Sequence, residues 1–179
     1  EFETGDVYRL RFPDEAFDVE HAHQVLQHVG DPVRALREMR RVCAPDGVVG
    51  ARDADYAGMT WYPQLPALDR WVTLFQGVTR ENGGEPDAGR RLLSWARAAG
   101  FSAVEPSASV WCFATSEDRR WWGGLWADRT VASAFGDQAH AQGRADRAEL
   151  EEIAAGWRTW AADDDAWFAV LHGEVRCRP

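Results

Sequence analysis

The sequence predicts an α/β fold, because strand-like and helix-like segments alternate from its start. Residues 17–25 follow a turn-forming stretch and are predicted to form a strand that ends near His23. A helix should follow, with Asp31 as its cap and Pro32 at its first position. Residues 48–52 are small and apolar without polar alternation, which predicts a strand buried on both faces of a parallel sheet.

The rest of the chain continues this pattern and predicts one domain with a helical insertion. Gly100 is expected to end a helix. The insertion is expected to cover the carboxyl edge of the sheet. The predicted elements are helices at 65–79, 88–99, 116–134 and 147–161 and strands at 102–114 and 167–175. The predicted parts are a sheet core at 1–115, the insertion at 116–161 and the last strand at 162–179.

The charge of the chain argues against several classes of function. All 20 basic residues are arginine, which excludes Schiff-base chemistry and a P-loop lysine. With 29 acidic residues the net charge is −9, and nucleic acid is therefore not expected as a partner.

Cysteine usage and hydropathy indicate the compartment. The three cysteines lie far apart and match no metal spacing, so free thiols and a cytoplasmic location are predicted. No apolar run is long enough to cross a bilayer, and no membrane partner is expected. The chain starts without a methionine, and an upstream segment is expected to be missing.

A specific order of motifs lies between residues 5 and 53. It contains Gly-Asp, Phe-Pro-Asp-x-x-Phe-Asp, Val-Leu-x-His-Val and a helical Arg-Glu-x-x-Arg-Val that ends before Gly47. This order resembles the central motifs of class I S-adenosyl-L-methionine (SAM) dependent methyltransferases, especially those similar to ubiquinone and menaquinone biosynthesis enzymes. The family usually has Pro-Gly-Gly where residues 45–47 are Pro-Asp-Gly. Residues 92–101 also resemble the family's helix and turn before its sixth strand.

The resemblance implies a Rossmann-like sheet that holds SAM, with a small molecule as the methyl acceptor. Asp6 matches the aspartate that accepts from the adenine amino group, and Val7 supplies the backbone amide that faces the ring. His23 falls where the family contacts the methionine part of SAM. The alternatives are a turn aspartate that bonds its own backbone and a histidine satisfied at a strand end.

One family element has no counterpart in this sequence. The family places a glycine-rich loop after its first strand and an acidic residue at the end of its second. The pairs at 83–84 and 123–124 do not follow a buried strand, so they do not substitute for that loop. This chain alone is therefore expected to bind SAM weakly or not at all and to be inactive.

Four residues are candidates for substrate contact. Asp53, Asp55 and Tyr56 follow a predicted strand, at the edge where open α/β sheets bind ligands, and Tyr62 lies a few residues further on. A capped, solvated loop is the alternative. If the helical insertion folds over that edge, aromatic side chains would form walls that suit an apolar or aromatic acceptor, although aromatic residues more often lie in the core. The candidates for these walls are Tyr62, Trp61, Trp71, Trp111, Trp121, Trp122 and Trp126.

Neither a catalytic side chain nor a metal is assigned. The sulfonium of SAM is already activated, so alignment of the reacting atoms supplies most of the rate and a general base is optional. His21 and His23 point to one face of a strand and could share a metal, but no third ligand stands at motif spacing.

The expected partner follows from the place of the 17–23 strand in the family sheet. There it is central, so without the family's first strand its edge would be open. The sequence therefore predicts a homodimer, or pairing with the missing N-terminal segment, that buries residues near Val19, Val25 and Leu26. A non-catalytic dimerising remnant of the fold is the alternative function.

Overall fold

The structure is a computed structural model that describes residues 3–179, so the first two residues of the predicted sheet core lie outside it. Its strands are β1 (Phe17–His23), β2 (Cys43–Ala54), β3 (Thr60–Tyr62), β4 (Ala103–Phe113) and β5 (Trp167–Arg178). Its α-helices are α1 (Pro32–Val42), α2 (Pro66–Glu81), α3 (Leu92–Ala99), α4 (Ser116–Ala132), α5 (Ala134–Ala141) and α6 (Arg147–Ala162). Short 3-10 turns lie at Leu26–His28, Tyr56–Gly58 and Ala88–Arg91.

The chain forms two compact units. The sheet unit contains residues 3–55, 83–109 and 171–179. The helical unit contains residues 56–82 and 110–170. The helical unit therefore includes α2 as well as the region of the predicted insertion.

The sheet unit is built around β2. β1 runs parallel to β2, with His23 opposite Arg52 at the carboxyl ends. β5 runs antiparallel to β2 on its other side, from Val49 opposite Cys177 to Ala54 opposite His172. The expectation of a purely parallel environment for residues 48–52 is therefore wrong on one side, because the apolar composition of a strand does not record its neighbours' direction.

Local signals set the first helix and the end of the third. Asp31 Oδ1 accepts from Arg34 N at 2.9 Å, and Pro32 begins α1 as predicted. Gly100 ends α3 with a φ of +89°, which confirms its predicted role. Buried residues at helical spacing then join α1 to the sheet core: Ala35, Leu36, Met39 and Val42.

The boundaries of α1 and α4 differ from the prediction. α1 ends at Val42 and β2 begins at Cys43, before the predicted 48–52 strand. Gly47 allows a close approach to β1, because an added Cβ would lie 2.9 Å from Asp18 O. The predicted 116–134 helix is interrupted at Ser133, whose extended backbone separates α4 from an additional helix, α5. The Ser133 hydroxyl accepts from Phe135 N at 3.2 Å and so caps α5.

The helical unit has an aromatic core. Trp71 packs edge-on against Trp126 and Trp157, with ring centroids 4.5 and 4.8 Å apart, and Trp160 and Phe168 complete the cluster. Trp71 and Trp126 were candidates for an aromatic acceptor wall, but both are buried in this core. Among the described residues, no helix is long and apolar enough to cross a membrane.

Candidate functional site

The carboxyl end of β1 continues into a residue with unusual backbone geometry. Gln24 has a φ of +53°, the left-handed region that residues other than glycine rarely occupy. Its N–H donates to Arg52 O at 2.7 Å, and its Nε2 lies 3.0 Å from Nε2 of the fully buried His172. These contacts join the carboxyl ends of β1 and β2 to the middle of β5, and they offset the strain of about 1 kcal/mol that this conformation carries.

Asp53 is fully buried and holds the loop that follows β1. Its Oδ1 accepts from Gln27 N at 3.1 Å, which caps the Leu26–His28 turn. Burial raises the pKa of Asp53 to about 6, and the backbone N–H groups of Gln27 and Leu26 oppose that rise. In this structure Asp53 therefore positions a loop, and its predicted contact with substrate stays a prediction.

Asp55 forms a two-pronged ion pair with Arg90. Arg90 Nε donates to Oδ2 at 2.7 Å and Nη2 donates to Oδ1 at 2.6 Å, and Arg90 N also donates to Oδ2. Only 1% of Asp55 is exposed, and its carboxylate raises the pKa of Arg90. Both carboxylate oxygens are thus engaged within the chain, and substrate contact by Asp55 remains untested.

The turn that carries Asp6 precedes β1. Asp6 is exposed, its Oδ1 accepts from Tyr8 N at 2.9 Å, and its carbonyl oxygen accepts from Arg9 N at 3.0 Å. This is the turn geometry considered as the alternative, and it leaves Oδ2 as the oxygen that could accept from an adenine amino group. Tyr8 Oη accepts from Asp31 N at 2.9 Å, which fixes the turn to the start of α1.

Val7 precedes β1 along the chain, and His23 is the last residue of that strand. Val7 is half-buried and lines an apolar groove of about 340 Å³ with Phe17, Val19 and Val25. Burial, and next the charges of Arg52 and His21, lower the pKa of His23 below its usual 6.5. His23 is therefore neutral at pH 7.

The two tyrosines lie in the helical unit. Tyr56 stacks on Phe75 with ring centroids 4.3 Å apart, and burial raises its pKa. Tyr62 is 58% exposed, and its carbonyl oxygen accepts from Trp160 Nε1 at 3.0 Å. Tyr62 is thus the more accessible of the two tyrosines that were predicted to contact substrate.

His21 and His23, which are not assigned as a metal site from the sequence, have no third ligand among the described residues. The rings of His21 and His23 lie 6.0 Å apart between centroids. No group of three or more histidine, cysteine or acidic side chains within residues 3–179 could hold a metal ion.

Sequence reasoning missed Gln24, His172 and Arg90. His172 had a usable signal, since it is a histidine within the apolar run of the predicted last strand. Gln24 and Arg90 had none, because their roles depend on residues distant in the sequence.

Comparisons with known proteins support the resemblance. A methyltransferase domain family matches residues 1–50. An uncharacterized methyltransferase of Schizosaccharomyces pombe is 36% identical over 178 residues, which are 97% of this chain and 62% of that protein. The ubiquinone/menaquinone biosynthesis C-methyltransferase of Bdellovibrio bacteriovorus is 48% identical over 48 residues, which are 27% of this chain and 20% of that protein.

The fold also has counterparts among solved structures. The YcgJ protein of Bacillus subtilis superimposes with a TM-score of 0.54 at 18% identity, over 98% of this chain and 69% of that protein. The parallel β1–α1–β2 unit and the antiparallel β5 define a Rossmann-like α/β sheet. The chain is similar to methyltransferases along 97% of its length, and its first 50 residues match a methyltransferase domain. It spans 62% of the length of its fission yeast relative.

Proposed function

We propose that this chain takes part in methyl transfer from SAM to a small-molecule acceptor, with Asp6, Val7 and His23 as its cofactor contacts. The observation that carries the proposal is the family order of motifs between residues 5 and 53 on a parallel β1–α1–β2 unit. Open α/β sheets bind ligands at the carboxyl ends of their strands, which is where His23 lies.

The charge state of His23 suits this role. SAM carries a positive sulfonium, and a protonated imidazole beside it would repel it. A neutral His23 can instead donate or accept a hydrogen bond near the methionine part of the cofactor. The remaining task of the protein is alignment of the acceptor with the methyl group.

The cofactor proposal predicts weak but specific binding of S-adenosylhomocysteine. Only three contacts are assigned, so we expect a dissociation constant weaker than micromolar and no turnover by the 179-residue chain alone. Asp6→Ala should weaken binding about tenfold or more, because a hydrogen bond to a charged acceptor contributes about 1.5–3 kcal/mol. Isothermal titration at high protein concentration measures both effects.

Asp14→Ala is the matched control, because Asp14 is an exposed aspartate whose carboxylate pairs with Arg41. Equal binding by the two alanine variants would refute the adenine role of Asp6. Micromolar or tighter binding by the unmodified chain would show that residues other than Asp6, Val7 and His23 also hold the cofactor.

We further propose that β1 pairs with another strand, either from a second copy or from an N-terminal segment. Within residues 3–179, β2 is the only strand that pairs with β1. Val19 is 71% exposed and Phe17 is 37% exposed, and both line the apolar groove beside the strand. Unpaired edges with apolar side chains are templates for strand addition. A dimer of this kind without methyl transfer is the alternative function.

Light scattering tests the assembly proposal. The purified chain should have the mass of a dimer or carry a co-purifying fragment, and Val19→Arg should convert it to a monomer. Val110→Arg serves as the control, because Val110 is also an exposed valine on a strand but lies in the helical unit. A monomeric parent chain at high concentration, with no fragment attached, would contradict the proposal.

A further inference from the structure

A basic groove of about 400 Å³ lies in the helical unit, between the start of α4 and the end of α6. Arg119, Arg120 and Arg158 line it together with Ser116 and Asp164. The chain as a whole carries a net charge of −9, so three guanidinium groups around one groove reverse the charge locally.

Internal contacts neutralise only one of these arginines. Arg119 is 6% exposed, and its Nη2 donates to Asp164 Oδ1 at 3.0 Å while Nη1 donates to the carbonyl oxygens of Ala114 and Asp164. Its buried Nε has no partner within the described residues. Arg119 is therefore part of the buried wall of the groove, and it pairs with the exposed carboxylate of Asp164.

The other two arginines keep their charge available. Arg158 has a long, exposed contact of 3.9 Å with Asp128, and such pairs contribute little. Arg120 is exposed, and no acidic side chain within residues 3–179 forms a salt bridge with it. Two exposed guanidinium groups thus line a groove whose lining contains a single carboxylate, that of Asp164, which pairs with Arg119.

The backbone of α4 adds to this potential. Thr115 caps Asp118 N, and Ser116 places a hydroxyl and an amide N–H at the positive end of the helix. Glu117 and Asp118 in the same turn and the carboxyl end of α6 act in the opposite direction. The arginines carry full charges, and they outweigh the partial charge of about half a unit at a helix end.

Two adjacent glycines shape the groove. An added Cβ at Gly123 would lie 2.7 Å from Ala161 Cβ, so α4 and α6 touch there. At Gly124 an added Cβ would meet no atom within 4 Å. The helices are therefore in contact at one residue and leave open space at the next.

We propose that this groove binds the phosphate group of a phosphorylated small molecule, held by Arg120, Arg158 and the Ser116 hydroxyl. A phosphate dianion matches two guanidinium forks, which bind such groups with paired hydrogen bonds. The volume is in the range of small-molecule sites. This site is separate from the proposed cofactor contacts and does not depend on methyl transfer.

Inorganic phosphate is the probe, titrated into the full chain at pH 8 with sodium chloride holding the ionic strength constant. Phosphorus NMR line broadening should give a saturable binding curve. The double variant Arg120→Gln, Arg158→Gln should weaken binding at least tenfold. Gly124→Leu should also weaken phosphate binding at least tenfold, because the leucine side chain fills the groove while every charged residue is kept.

Arg147→Gln is the matched control, because Arg147 is an exposed arginine at the opposite end of α6. It should bind phosphate as the parent chain does, and circular dichroism should show that all variants remain folded. No saturable binding by the parent chain, or equal binding by the double variant and Arg147→Gln, would overturn the proposal.

Discussion

Arg90→Ala is expected to lower the free energy of unfolding by about 3 kcal/mol, because it leaves the buried carboxylate of Asp55 without its cation. Adding Asp55→Asn should recover most of this loss. The asparagine side chain is neutral, and its oxygen can still accept from the backbone N–H of residue 90. Urea unfolding followed by tryptophan fluorescence measures each free energy.

Arg91→Ala is the control for that comparison. Arg91 is the neighbouring arginine, and its side chain is about as exposed as that of Arg90, at 55% against 53%. Its partner Glu85 is less buried than Asp55, and their contact is 3.5 Å long. Its loss should cost less than about 1 kcal/mol. If the Arg90 and Arg91 variants were equally stable, the Asp55–Arg90 pair would not stabilise the sheet unit.

Asp53→Asn should make the protein more stable at pH 8 and change how stability varies with pH. Burial raises the pKa of Asp53 from 3.8 to about 6 in the folded state, so between these values the folded chain binds more protons than the unfolded chain. The stabilisation from Asp53 is therefore complete below pH 3.8 and is lost as the pH rises through 6. The loss amounts to about 3 kcal/mol by pH 8.

The asparagine variant should lack this loss, because its side chain stays neutral and can still accept from Gln27 N. The difference between variant and parent should be largest at pH 8 and smallest near pH 4. Asp46→Asn, at an exposed position, is the control and should leave the parent profile unchanged. An Asp53→Asn profile parallel to that of the parent would mean that Asp53 does not titrate in this range.

The predictable parts of this fold depend on neighbours in the sequence. Asp31 and Gly100 act within one helical turn of their own position, and both were assigned correctly. The motif order between residues 5 and 53 indicated the family because each motif is a local segment. The antiparallel direction of β5 depends on contacts between distant segments, which the sequence pattern does not record.

For the candidate site, the sequence predicted where its residues lie along the chain but not which residues they contact. Asp55 follows the carboxyl end of β2 as expected, whereas Asp53 is the second-last residue of the strand and does not follow it. What the sequence lacked was their partners, since Gln27 and Arg90 come from other segments of the chain. The same limit applies to Gln24 and its buried partner from β5.

The pairing of β2 with residues 172–177 has a consequence for biosynthesis. The ribosome makes β2 before β5, so during translation the edge of β2 that pairs with β5 stays unpaired until β5 has been made. Contacts between such distant segments also form slowly, because a long loop must close first. The nascent chain therefore exposes an unsatisfied strand edge while the residues between β2 and β5 are made, and chaperones that shield such edges would act in this interval.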